Sequence, residues 1–186
     1  MTNSQAFQES LTRFKRGGIF IIAAGGNSNV QIDDTWVPQS YDDIYVVGNV
    51  GQNGRKHPSS NYGRAIDIWA PGEAVETLNH LGQWVTMTGT SFSAPWVVGL
   101  AALIWSYEAA VIGRDVDKIW ERIKQNAKRD GVKGVPQGTT KLLFRTGANH
   151  RHRHPSHPYA YVSARTGGSG DVEMTDADAD GMDDIL

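Results

Sequence analysis

Apolar and polar positions follow two periods along the chain, one helical and one strand-like, and their alternation sets out the elements. From Ser4 to Lys15, Ala6, Phe7, Leu11 and Phe14 recur at helical spacing, and Gly17-Gly18 stop the run. Ile19 to Ala24 is continuously apolar and of strand length, the pattern of a strand buried on both faces of a parallel sheet. Ser28 to Asp43 is polar, contains Trp36 and Pro38, and reads as a loop over a cleft. Tyr45 to Val50 predicts a second strand, closed by the turn Gly51-Gln52-Asn53-Gly54, and Ile66 to Ala70 a third. Leu78 to Met87 carries Asn79-His80-Leu81-Gly82 between apolar positions and predicts a hairpin that delivers the chain to Thr88-Gly89.

Two helices follow. The stretch from Trp96 to Trp105 is apolar on every side, which predicts burial inside a layered domain. Val116, Ile119, Trp120, Ile123 and Ala127 define an amphipathic helix with Asp117, Lys118, Glu121, Arg122 and Lys124 in water. Strands alternating with helices give the fold class as α/β, a three-layer α/β/α sandwich with a mostly parallel sheet, whose ligand edge lies at the carboxyl ends of the strands.

Candidate chemistry sits at those ends. Gly89-Thr90-Ser91-Phe92-Ser93-Ala94-Pro95 runs straight into the apolar helix and places Ser91 at its mouth. The first N–H groups of a helix lack intrahelical partners and carry the positive end of its dipole, so negative charge developing beside Ser91 is stabilised. A plain alternative stands beside this one: Ser is a favoured N-cap, and Pro is tolerated in a first helical turn. Upstream, the strand Ile19 to Ala24 ends in Gly25-Gly26-Asn27, where two glycines allow close backbone approach and a carboxamide can donate to an anionic oxygen.

Together these segments resemble the C-terminal part of the catalytic domain of subtilisin-like serine peptidases. Gly89-Thr90-Ser91-Phe92-Ser93-Ala94-Pro95 is similar to the family's nucleophile motif and Ala24-Gly25-Gly26-Asn27 to its oxyanion-hole segment. Ala65-Ile66-Asp67-Ile68-Trp69-Ala70-Pro71-Gly72, between them, is similar to a strand landmark ending in Ala-Pro-Gly. The resemblance runs from about Phe7 to about Arg129. It implies a serine endopeptidase in which Ser91 is the acylated nucleophile, the Ser91 N–H and the Asn27 side chain are the oxyanion donors, and Ala24, Gly25 and Gly26 form part of the substrate-binding wall. Gly25 stands where alanine is common, which predicts a slightly wider wall.

The family's other two catalytic residues lie in an Asp-Thr/Ser-Gly strand end and a His-Gly-Thr-His helix start, and neither pattern occurs in this sequence. The reading is therefore a domain with its N-terminal half missing, whose histidine and aspartate come from elsewhere. His57 and His80 read as solvated loop histidines. Two functions stay open: the nucleophile half of a serine endopeptidase acting on polypeptide substrate, or a non-catalytic remnant that binds without hydrolysing. A lipase-type esterase is weaker, because Gly-x-Ser-x-Gly is absent around Ser91.

Composition narrows partners more than it identifies them. The 186 residues are 39% hydrophobic and 20% charged with net charge −2, which gives no reason to expect nucleic acid or an anionic membrane as partner. The longest apolar stretch reads as too short and too glycine-broken to span a bilayer. No cysteine is present, so disulfides and thiolate metal sites are excluded and the compartment is left open. Met1 to Gln5 lack the basic and apolar regions of an export signal. Residues 1–145 form the domain, and 146–186, His/Arg/Pro-rich and then acidic, are expected to be disordered. No cofactor is required, although Asp176-Ala177-Asp178-Ala179-Asp180-Gly181-Met182-Asp183-Asp184 fits the start of a calcium-binding loop and gives Ca²⁺ as a possible ligand. Finally, an uncovered sheet edge and apolar patch predict that the chain aggregates or dimerises.

Overall fold

The computed structural model describes residues 5–147. The His/Arg/Pro-rich stretch, the acidic end and the calcium-loop sequence lie outside the described residues. Within them the order is α1 (Gln5–Arg16), β1 (Ile22–Ala24), β2 (Tyr45–Val50), β3 (Ile68–Pro71), β4 (Val75–Leu78), β5 (Trp84–Met87), α2 (Thr90–Ile112) and α3 (Val116–Asn126).

Strands β1, β2 and β3 form a parallel sheet in that spatial order, with Ile22 opposite Tyr45 and Val47 opposite Ile68. Strand periodicity divides β2 and β3 between two cores. Tyr45, Val47, Ile68 and Ala70 face α2 and α3, where Val97, Leu100, Ile104, Ile119 and Ile123 are buried. Val46, Val50 and Trp69 face the other way, against Leu11 of α1, Ile32, Tyr41, Ile66 and Leu143. Helices and loops thus cover both faces of a parallel sheet, the three-layer α/β arrangement the sequence predicts. In the first core Tyr45 stacks between Phe20 and Trp120, with centroid separations of 4.9 and 4.3 Å. Its hydroxyl donates to Asp117 at 2.9 Å.

Four expectations change. The first strand is half-buried and pairs only from Ile22, because it lies at the edge of the sheet, and Ile19 is exposed. Segment 28–43 is a largely exposed loop, as its polarity predicts, but it is pinned at two buried apolar residues, Ile32 and Tyr41, and the Ile32 N–H donates to the Tyr62 carbonyl at 2.8 Å. The third strand begins two residues later than expected, because Ile66 turns into the second core before pairing starts at Ile68.

The fourth concerns α2, which is buried on one stripe only. Ser93, Val97, Leu100, Ala101 and Ile104 face the sheet, while Val98, Leu103, Trp105, Tyr107 and Val111 are exposed. At 23 residues and a mean hydropathy of 1.5, α2 is long and apolar enough to cross a membrane by length and composition, contrary to the expectation for this stretch. Its packed stripe holds it against β1, β2 and β3.

The hairpin β4–β5 pairs Val75 with Met87 and Leu78 with Trp84. Its base is tied to the sheet, since the Gly89 N–H donates to the Gly72 carbonyl at 2.8 Å and the Ala74 N–H to the Thr88 hydroxyl at 2.9 Å. Gly72 must lack a side chain here: a Cβ would collide with Ser93 Oγ and approach the Gly89 carbonyl to 2.7 Å. This contact sets where α2 starts. Amphipathic α3 is capped by Asp115, whose carboxylate accepts from the Asp117 and Lys118 N–H groups at 3.1 and 3.2 Å.

Candidate functional site

At the carboxyl end of β1 the chain passes through Gly25 and Gly26 to Asn27, and the start of α2 faces it. Helix α2 begins at Thr90, with Gly89 as N-cap and no side-chain cap bond, so Ser91 is the second helical residue and does not cap the helix. Pro95 is the sixth residue, beyond the first turn where the cap reading put it. Having no N–H, it leaves the Ser91 carbonyl without its helical partner.

Thr90 joins the two segments. It is buried, and its backbone N–H donates to Asn27 Oδ1 at 2.9 Å. Its hydroxyl donates to the same oxygen at 3.2 Å and accepts from the Gly26 N–H at 3.0 Å. Because an N–H can only donate, this relay fixes the oxygen of the Asn27 carboxamide toward Thr90 and turns its NH₂ away. The NH₂ lies beside Gly89, 3.2 Å from where a Cβ would be, so any larger residue there would crowd it. Among the described residues, neither that NH₂ nor the Ser91 N–H has a hydrogen-bond partner. The Ser91 side chain itself is exposed.

The wall residues divide. Ala24 lies with Ser91 in a shallow open trough completed by Ile22, Ala94, Pro95 and Val98. Gly25 is buried behind it, and the space a Cβ would occupy is filled by Ile66 Cδ1 at 2.7 Å, so the missing methyl does not widen the wall. Backbone groups in this segment are already bonded: Gly25 N–H to Val47 O at 2.9 Å, Gly26 N–H to Thr90 Oγ1, and Ala24 O from Gln39 Nε2 at 3.0 Å. The segment can therefore offer surface to a ligand but few free backbone groups.

The local histidines stand apart from Ser91. His57 is less solvated than expected, with 18% of its side chain exposed. Its Nδ1 accepts from the Ser59 N–H at 3.2 Å and lies 2.8 Å from the Ser59 hydroxyl, which leaves the proton on Nε2, 3.8 Å from Glu73 Oε1. His80 is exposed at the hairpin tip, as expected. Among the described residues no histidine or carboxylate bonds Ser91 Oγ, and no group of three or more His, Cys, Asp or Glu is placed to hold a metal ion.

One part-buried carboxylate, just before the amino end of β3, lies outside this group. Asp67 accepts from the Val46 N–H at 2.7 Å, and burial pushes its pKa up to about 6 despite that bond. Thr90 and Asp67 both occur inside the sequence landmarks, yet nothing in their spacing announces a role; only contacts distant along the chain reveal it.

A parallel α/β sandwich with a helix-mouth serine and an oriented carboxamide places the candidate chemistry at the strand ends, where open α/β sheets bind their ligands. Residues 2–151 match the model of the subtilase family, Peptidase_S8, and the chain belongs to that family. It is 31% identical over 145 residues to the alkaline serine protease ver112 of Corniculantispora psalliotae, covering 78% of this chain and 37% of that protein. It is 32% identical over 146 residues to a cuticle-degrading protease of Metarhizium anisopliae, covering 78% and 36%. A cold adapted subtilisin-like serine proteinase of known structure superposes with a TM-score of 0.68 at 26% identity, over 77% of this chain and 50% of that one. The chain spans a little over a third of the length of these two curated relatives.

Proposed function

We propose that this chain carries the nucleophile and oxyanion-binding half of a serine endopeptidase. Ser91 Oγ attacks the scissile carbonyl of a polypeptide, its proton passes to a histidine, and the resulting oxyanion is held by the Asn27 NH₂ and the Ser91 N–H. The leaving amine takes the proton from that histidine, and water then releases the acyl group by the reverse sequence. The histidine and its orienting acid are proposed to come from polypeptide other than the described residues, since among these no histidine bonds Ser91 Oγ and His57 Nδ1 is taken by Ser59. No cofactor enters this chemistry.

The single observation that carries the reading is the Thr90 relay, which turns the Asn27 amide oxygen toward the residue preceding Ser91 and leaves the Asn27 NH₂ without a partner among the described residues. Ala24 supplies the adjoining wall, with Gly25 and Gly26 shaping it from behind. The test is labelling of the full chain by a fluorophosphonate, alone and with an added N-terminal subtilase segment bearing the Asp and His motifs. Labelling that appears with the added segment and disappears in Ser91→Ala supports the peptidase. Absence of labelling in a folded, complemented sample favours the second reading, a binding protein without hydrolysis.

A further inference from the structure

The loop that presents Asn27 is held from beneath by a residue outside all three sequence landmarks. Asn61 is fully buried, and it bonds both limbs of that loop. On the incoming limb its Nδ2 donates to the Gly25 carbonyl at 2.9 Å and its backbone N–H to the Gly26 carbonyl at 2.9 Å. On the outgoing limb its Oδ1 accepts from the Ser28 N–H at 3.0 Å and the Val30 N–H at 3.1 Å. Asn27 is the residue between the limbs.

We propose that Asn61 is the positioning residue for the Asn27 amide, an inference that rests on the oxyanion role proposed above. The loop turns through two left-handed residues, Gly26 at φ +96° and Asn29 at φ +53°, so no regular ladder of hydrogen bonds holds its limbs and side-chain bonds from Asn61 take that place. The chemistry selects asparagine. One planar group must donate to a carbonyl and accept twice, whereas aspartate has no donor, glutamine is a methylene longer and leucine has neither function. Asn61 also excludes a side chain at position 26, since its Nδ2 occupies the space a Gly26 Cβ would need.

The brace is itself anchored. The Ser60 hydroxyl donates to the Asn61 carbonyl at 3.1 Å and accepts from the Asn49 N–H at 3.0 Å, and Asn49 belongs to central strand β2. A continuous hydrogen-bonded path therefore runs from β2 through Ser60 and Asn61 to the loop, and from Asn27 through Thr90 into α2. Thr90 fixes which way the carboxamide faces, and Asn61 fixes where its backbone stands.

The experiment is residue-resolved hydrogen exchange on the full chain, with the Asn27 side-chain NH₂ resonances followed in the same samples. In Asn61→Ala the Ser28 and Val30 amides should exchange ~10-fold faster or more and the Asn27 NH₂ resonances should shift, while amides of Ile119 to Ile123 in α3 keep their protection. Asn61→Asp retains acceptors for Ser28 and Val30 but loses the donor to the Gly25 carbonyl, and should give protection between that of Asn61→Ala and the wild type. Unchanged exchange at Ser28 and Val30, unmoved Asn27 resonances, or an equal loss of protection in α3 would each overturn the proposal. Fluorophosphonate labelling of the complemented wild type separates the two levels: if Ser91 does not react, the peptidase reading fails while exchange still decides whether Asn61 braces the loop.

Discussion

The Asn27 side-chain oxygen lies 2.9 Å from the Thr90 backbone nitrogen, although the two residues are 63 positions apart. That bond closes the gap between the end of an edge strand and the start of a buried-stripe helix. Through it, the orientation of a potential anion donor depends on the residue immediately before the candidate nucleophile.

Thr90→Val tests the relay with little change of shape. The valine keeps the backbone N–H to Asn27 but leaves the part-buried Gly26 N–H without its acceptor. The expected loss of stability is ~1–3 kcal/mol by urea denaturation, with Thr90→Ser close to wild type. Equal stability of the Val and Ser variants would show that the hydroxyl is not needed.

Asp67 gives the fold a pH signature. Its folded-state pKa of about 6 exceeds the ordinary 3.8, so between these values the native state binds the proton more tightly than the unfolded chain. Stability from this group is therefore full below pH ~4 and declines as pH rises toward ~6, by ~3 kcal/mol in all. Asp67→Asn keeps an acceptor for the Val46 N–H and should lack this decline, which parallel melts of both proteins from pH 4 to pH 7 would reveal. Identical pH profiles would contradict it.

How far the pattern of residues reached is clearest in the helices. Apolar spacing located α3 to within a residue of its observed end, because one stripe of that helix is buried and the rest is in water. The same method failed for α2, since apolar residues all round do not tell which stripe meets the sheet. Ile19 to Ile21 were as apolar as Ile22 to Ala24, but pairing depends on where Tyr45 stands, and that is not written in the local run. Ser91 and Asn27 stand out in the sequence because motif and side-chain chemistry coincide in them, and the fold joins their segments through Thr90. Thr90, Asn61 and the Ser59–His57–Glu73 contacts do not stand out, as each acts through hydrogen bonds made only by the folded chain.

The exposed apolar residues of α2 make a prediction about association. Val98, Leu103 and Val111 are 45%, 49% and 76% exposed, spread around the helix outside its packed contacts. Leu103→Glu with Val111→Lys should raise the monomer fraction in sedimentation velocity while shifting the melting temperature by only a few degrees. A wild type that is already monomeric at high concentration would refute the expectation that this surface self-associates.

Gly72→Ala probes the seat of α2. The added methyl meets Ser93 Oγ and the Gly89 carbonyl, so α2 must move or the hairpin base must open. Overpacking of this kind costs ~1–3 kcal/mol, and it should also alter the Asn27 NH₂ resonances through Thr90. A destabilised variant with unaltered resonances would mean that the hairpin gives way instead of the helix.

Parallel pairing has one more consequence, for the time at which the site comes into being. Ile22 meets Tyr45 and Val47 meets Ile68, each across more than twenty residues, and no described strand of this sheet is joined to its neighbour by a tight turn. Such contacts form late and slowly, because long loops must close before any pairing is gained. The hydroxyl and the carboxamide meet only once these three strands have paired and α2 has docked on them, however early the two residues are synthesised. Whatever chemistry this surface performs is thereby withheld until folding is complete.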